Sequence, residues 1–366
     1  QYDINIEKPA PLVPRYLRLP VRERCNATGE ILLPLVEDDV RALVPILREQ
    51  QIESVAITLI HAYANDKHER RVAEILQAEL PELWITLSSE VCPEIREYER
   101  TSTACANAYV QPLMASYLAD LDARLRAEGA QCPLFMMTSG GGLTTVETAR
   151  RHPIRLVESG PAGGAILAGR IALECGLDKV LSYDMGGTTA KICLIDEGRP
   201  QTSRTFEVDR QYRFTKGSGL PLRIPVIEMV EIGAGGGSIA QVDNLGRIQV
   251  GPESAGSEPG PACYGQGGTG ATVTDADVAL GRISPDGFAG GSVQLSPELS
   301  QAALDKAIAQ KLNLDGPLAA FAVSEMVEEN MSNAARVHAV EQGKELAART
   351  LIAFGGAAPL HACRMA

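Results

Sequence analysis

No Cys-x-x-Cys pair occurs in this chain, and its eight cysteines, at 25, 92, 105, 132, 175, 193, 263 and 363, are scattered. Its five histidines form no ligand-spaced cluster, so no zinc motif is evident and reduced thiols are expected. Positive charge is in the minority: 34 Lys and Arg stand against 46 Asp and Glu, a formal net charge of -12. That balance argues against a general grip on nucleic acid or an acidic membrane, while a local anion site stays open. No apolar run approaches the roughly 18 residues of a membrane span, and the start carries no charged-then-apolar signal. A soluble, cytoplasmic protein is therefore expected. The string Gly-x-x-x-x-Gly-Lys-Ser/Thr is missing, as is a Gly-x-Ser-x-Gly elbow, and 233–238 fails the dinucleotide fingerprint because Ser238 replaces its third glycine.

What is present suits a folded α/β protein. The 366 residues, 45% of them hydrophobic, suffice for one large or two ordinary cores. Pro9, Pro11, Pro14 and Pro20 among polar residues mark 1–35 as an extended lead-in outside the core. Helical and strand patterns then alternate: helix 40–50, strand 54–60, helix 66–79, strand 83–87 and a long helix over 103–127. This order predicts a mixed or parallel sheet. Strand 134–137 runs into a glycine-rich turn, and a second unit is expected to begin near 155, where Pro161 and nearby glycines precede helix 165–173. The segment 217–291 holds 18 of the 35 glycines between apolar residues, which suggests an ordered functional loop region rather than a linker. Helices over 301–312 and 321–342, a strand over 350–354 and the turn Gly355-Gly356 close the chain.

The most informative string is Asp184-Met185-Gly186-Gly187-Thr188-Thr189, set between strands 180–183 and 190–195. An acid at a strand tip, two glycines that admit close backbone approach and two hydroxyls can cradle phosphate oxygens and hold a hydrated magnesium ion. A plain tight hairpin would need the same glycines; the paired threonines favour phosphate. Other groups have two readings each. Gly233–Gly237 and the run 251–270 suit either a cleft lining or close loop packing. Asp275 and Asp277 suit either magnesium or helix capping. Cys263 reads as a small buried residue rather than a nucleophile, and His361 as a packing or capping histidine. Glu94, Glu97, Tyr98, Glu99 and Arg100 read as a solvated face.

Six strings, SSEVCPEIREYERTSTACANAYVQP (88–112), SGPAGGA (159–165), DMGGTTAKICLI (184–195), EIGAGGGSIA (231–240), GPESAGSEPGPACYGQGGTGATVTDADVALGRI (251–283) and FGGAAPLHA (354–362), resemble in order the A-type subunit of the hydantoinase/5-oxoprolinase family. The resemblance implies an actin-like ATPase fold, related to sugar kinases, Hsp70, actin and ribonuclease H, incomplete here. Residues 1–100 then match the remainder of an N-terminal domain and 101–366 the core domain. Asp184 and Thr188 take the catalytic roles, with Asp184 holding magnesium through water. Gly186, Gly187, Thr188, Thr189, Gly235, Gly236, Gly237, Gly355 and Gly356 contact ATP. The family opens cyclic amides or imides by phosphorylating the carbonyl oxygen, together with a B-type partner; relatives carboxylate ketones, and a non-catalytic nucleotide-gated module is a third possibility. Homo-oligomerisation is left open. Because only one Asp-x-Gly-Gly-Thr string occurs and the chain starts without methionine, an excised piece, inactive by itself, is expected.

Overall fold

In this computed structural model, which describes residues 7–212 and 217–366, the chain divides into two compact units. One comprises Gln1–Ala162 with Thr202–Ile227, the other Gly163–Gln201 with Glu228–Ala366.

The first unit opens with a small antiparallel hairpin, β1 (Arg24–Cys25) and β2 (Ile31–Leu33). This corrects the reading of 1–35 as a lead-in outside the core. Cys25 is buried, and Leu19, Val21 and Leu35 pack against a core cluster. Helix α1 (Glu37–Glu49) carries Val40, Val44 and Leu47 at helical spacing, and α2 (Lys67–Glu79) carries Val72, Ile75 and Leu76. Both stripes bury against the parallel pair β3 (Ser54–Ile57) and β4 (Trp84–Leu87), with α2 as the crossover.

β3 ends three residues earlier than the sequence pattern suggests, because side chains take the next backbone groups. The buried Glu69 carboxylate accepts the Leu59 N–H at 2.9 Å, and Arg100 donates to the Leu59 carbonyl at 2.8 Å. Arg100 lies on the long helix α3 (Glu97–Ala127) and is 1% exposed. The solvated-face reading therefore fails for it. Its guanidinium also donates to Ser88 Oγ (3.2 Å) and the Glu94 carbonyl (2.9 Å), which satisfies a buried charge that would otherwise be costly.

The second unit is built on a five-stranded sheet. Helix α4 (Ser159–Glu174) precedes β5 (Lys179–Met185) and β6 (Ala190–Asp196), an antiparallel hairpin. β7 (Val230–Ile232) flanks β6, and the short strand Arg199–Pro200 also pairs with it. Within the expected glycine-rich loops, β8 (Ser238–Val242) and β9 (Ile248–Ser254) form a ladder, followed by α5 (Val273–Ala279). Helix α6 (Gly316–Glu341) starts where Asp315 accepts the Leu318 N–H at 2.8 Å. It buries Ala319, Val323, Val327, Met331, Ala335 and Ala339 against the sheet's Tyr183, Met185, Ile192 and Leu194. Finally β10 (Thr350–Phe354) pairs parallel with β5, setting Phe354 beside Asp184, and α7 (Ala358–Met365) follows. Among the described residues no helix is long and apolar enough to cross a membrane.

Candidate functional site

The β5–β6 hairpin puts Asp184 one residue before the end of its strand, opposite Lys191. The turn closes through the Gly186 N–H, which donates to the Thr189 carbonyl at 3.1 Å. Gly187 and Thr188 are exposed at the tip, and Thr189 is half-buried. Lys191 Nζ lies 3.0 Å from Thr189 Oγ1 and 3.1 Å from Glu231 Oε1. Burial pushes the Asp184 carboxyl above its ordinary range, with the Lys191 ammonium acting in the opposite direction. A carboxylate held in this way gains from a nearby cation.

Two chain segments distant in sequence converge on this turn. The β10 register delivers Gly355 to Asp184, and the Ala357 N–H donates to the Met185 carbonyl at 2.9 Å. Gly355 has φ +92, and a Cβ there would lie 2.5 Å from Asp184 Oδ1 and 2.7 Å from the Met185 carbonyl oxygen. On the other side, the Gly236 and Gly237 N–H groups donate to the carbonyls of Gly186 (3.0 Å) and Gly187 (2.6 Å). A Cβ on Gly235 would fall 2.6 Å from Thr188 backbone atoms. Thr274 in turn clamps the Gly236 carbonyl through its N–H and its hydroxyl.

Gly235, Gly236 and Gly237, expected to touch a cofactor, are here engaged in packing against the turn. All three are buried, and two of their amides are consumed by the turn. They buttress the tip. Gly186, Gly187 and Gly356 differ: a Cβ on any of them meets no atom within 4 Å, and none has a positive φ. The fold does not itself demand glycine at these three places. The space is available to a ligand.

The remaining singled-out residues also take definite places. Asp275 is buried at the third position of α5 and completes a capping box with Thr272. Its carboxylate also accepts the N–H groups of Ala262 and Cys263 and the Ser300 hydroxyl, so it staples a loop. Cys263 is fully buried, and burial with the neighbouring Asp275 pushes its thiol up to about 12, which is the opposite of nucleophile activation.

Asp277 and His361 enter a buried charge network that sequence spacing does not signal. His361 Nε2 lies 3.2 Å from Asp277 Oδ2, and its Nδ1 lies 2.9 Å from Glu328 Oε1. Arg282 reaches Asp277 (3.2 Å), Glu328 (3.1 Å) and Ser324 Oγ (2.6 Å). Burial alone would lower His361, but the two carboxylates outweigh it and hold the imidazole at about 9. Glu328 is held below its ordinary range although burial opposes this, chiefly by its bonds to His361 and Ser324. The network lies behind β5, where Tyr183 and Met331 also meet.

Residues 100–366 match the family described as hydantoinase/oxoprolinase, and residues 1–80 match the hydantoinase/oxoprolinase N-terminal region. Caprolactamase subunit alpha of Pseudomonas jessenii is 37% identical over 100% of this chain and 51% of its own length. The acetophenone carboxylase gamma subunit of Aromatoleum aromaticum is 35% identical over 97% of this chain and 48% of its own. A nucleotide-free structure of acetone carboxylase, an enzyme of ATP-dependent acetone carboxylation, superposes with a TM-score of 0.83 at 29% identity, covering 96% of this chain and 49% of that one. The crystal structure of the ATP-dependent caprolactamase gives 0.77 at 37% identity, covering 100% and 52%. The chain thus spans about half the length of the relatives it matches.

Proposed function

The chain belongs to the hydantoinase/oxoprolinase family, and from that premise we propose that it is the nucleotide-handling A-type part of an ATP-dependent enzyme that opens a small cyclic amide or imide, such as a hydantoin, 5-oxoproline or a lactam. One observation carries the reading: the Asp184 carboxylate sits beneath a turn whose two glycines have open outer faces, with the Gly355-Gly356 turn packed against it. We read 1–100 as the rest of an N-terminal domain and 101–366 as the core.

Magnesium-ATP, when bound, supplies the phosphoryl group that makes the amide carbonyl carbon reactive toward water. The residues of this chain position and neutralise charge, which is most of what phosphoryl transfer asks of a protein. Asp184 would hold the hydrated magnesium, and the cation would relieve the burial that raises its carboxyl. Gly186 and Gly187 let phosphate oxygens reach the turn backbone, with the Thr188 and Thr189 hydroxyls beside them. Lys191 keeps Thr189 in place. Gly356 leaves room for the rest of the nucleotide. The subunit names of the relatives support a partner chain, which we read as the B-type subunit.

A ketone carboxylase of the same family is the second reading, favoured by the TM-score of 0.83 to acetone carboxylase. Phosphate release from the full-length protein with its partner separates the two readings. Stimulation by a hydantoin, 5-oxoproline or lactam is the expected result, whereas stimulation only by a ketone with bicarbonate selects the carboxylase. If no substrate stimulates hydrolysis while nucleotide still alters partner affinity, the protein is a gated module and no enzyme.

Three alanine substitutions test the cradle itself. Gly186→Ala and Gly187→Ala are expected to change stability by no more than about 0.5 kcal/mol, yet to weaken nucleotide binding by about tenfold or more, equivalent to about 1.4 kcal/mol. Gly355→Ala, strained by its φ and pressed against Asp184, is expected to cost about 1–3 kcal/mol. Thermal melting and nucleotide titration of the full-length variants would read both effects. Unchanged affinity in both tip variants would remove the cradle.

A further inference from the structure

In the first unit, Glu23, Cys25 and His68 bring a carboxylate oxygen, a thiol and an imidazole nitrogen within 4.8 Å of one another. Glu23 and Cys25 stand two residues apart along an extended segment ending in β1, so their side chains share one side. His68 lies in the first turn of α2. Its Nδ1 is 2.8 Å from Glu23 Oε2 and 3.8 Å from Cys25 Sγ. The side chains of Glu23 and His68 are 5% and 9% exposed, and Cys25 is 2% exposed. Among the described residues no Lys or Arg forms an ion pair with Glu23, whose Oε2 meets the His68 imidazole. The charge of a buried acid has to be balanced, by a proton shared with His68 or by a bound cation in its place.

We propose that Glu23, Cys25 and His68 form a structural site for a borderline divalent metal of the zinc class, with water as the fourth ligand. The mixed S, N and O donor set suits zinc rather than magnesium or calcium, which take oxygen donors. A tetrahedral zinc with ordinary bond lengths has an S-to-N edge of about 3.5 Å, close to the Cys25–His68 separation. Without metal, one proton lies in the Glu23–His68 hydrogen bond and another on the Cys25 thiol. Metal binding sends both to solvent, leaving thiolate, imidazole lone pair and carboxylate as ligands, so affinity rises with pH. The metal would pin the β1–β2 hairpin to α2, where Asn65 Nδ2 already donates to the Gly29 carbonyl at 2.7 Å.

Cobalt(II) titration of the full-length protein tests this, because thiolate ligation gives a charge-transfer band and tetrahedral geometry gives intense visible bands. One cobalt per chain with both signatures is expected, displaced by zinc, and zinc should raise the melting temperature. Cys25→Ser should abolish the charge-transfer band although the exposed Cys132, Cys175 and Cys363 remain. Glu23→Gln, which keeps the side chain's shape, should weaken binding by at least about tenfold, the smallest loss that outer-shell changes cause. Absence of the band, its persistence in Cys25→Ser, or unchanged affinity in Glu23→Gln would overturn the site. Circular dichroism confirms that each variant is folded.

Discussion

Replacing Asp184 with alanine in the full-length protein, assayed with its partner, is expected to lower substrate-stimulated ATP hydrolysis about a hundred- to a thousand-fold, the loss typical of removing one preorganised charge stabiliser. The melting temperature should stay the same or rise. The sign follows from the carboxyl itself. Burial raises it above its unfolded value of 3.8, so the ionised form costs stability at neutral pH, and the folded state gains as pH falls and the group protonates. Asp184→Asn removes that cost and keeps the shape. Near-normal phosphate release in either variant would sink the phosphate-turn assignment, and a large drop in melting temperature would make Asp184 a structural residue. Gly355 leaves no room for a Cβ beside Asp184 and the Gly236 N–H donates to the Gly186 carbonyl, so close packing places this one acid.

The second large effect is expected behind the sheet. His361→Ala should destabilise the folded state by about 3–5 kcal/mol, because it leaves Asp277 and Glu328 buried with Arg282 as their remaining basic partner at hydrogen-bond distance. Arg364 stands farther off, 3.7 Å from Glu328. The wild type should also show a pH signature. His361 is held at about 9, above its ordinary 6.5, so its stabilisation is fully present below 6.5 and is lost as pH rises through about 9. That gap is worth about 3 kcal/mol. Glu328 works at the other end: its folded value lies below 4.5, so its contribution is present above 4.5 and disappears on further acidification. Urea unfolding from pH 6 to 9 would check the first limb, and a His361→Ala curve as steep as the wild type's would refute the assignment.

Much of the frame was legible in the residue order. Alternating apolar runs foretold the α/β layers, and β5–β6 appears where 180–183 and 190–195 were read as strands. The reason is local. Strand and helix periodicity and glycine turns act within a few residues, so a string of letters displays them; the Asp315 cap was passed over, and α6 begins at Gly316 rather than 321. Local reading went astray where a distant group intervened: Glu69 ended β3 early, and Ser88 with two backbone carbonyls drew Arg100 out of solvent. Nor does periodicity announce that 202–227 returns to the first unit.

By itself, then, the sequence determined the family, the α/β class and the position of an acid at a glycine-rich strand tip, because each is carried by neighbouring residues. Tertiary structure decided what the glycines do. Gly355 reaches Asp184 only through the parallel β5–β10 register, and Gly235–Gly237 become buttresses only because their amides meet the carbonyls of Gly186 and Gly187. It also decided which charges meet. Glu23 and His68 are 45 residues apart, and Glu328 and His361 are 33 apart, separations over which no spacing rule operates. Such pairs form when packing closes the long loops between them, and only the folded chain records that closure.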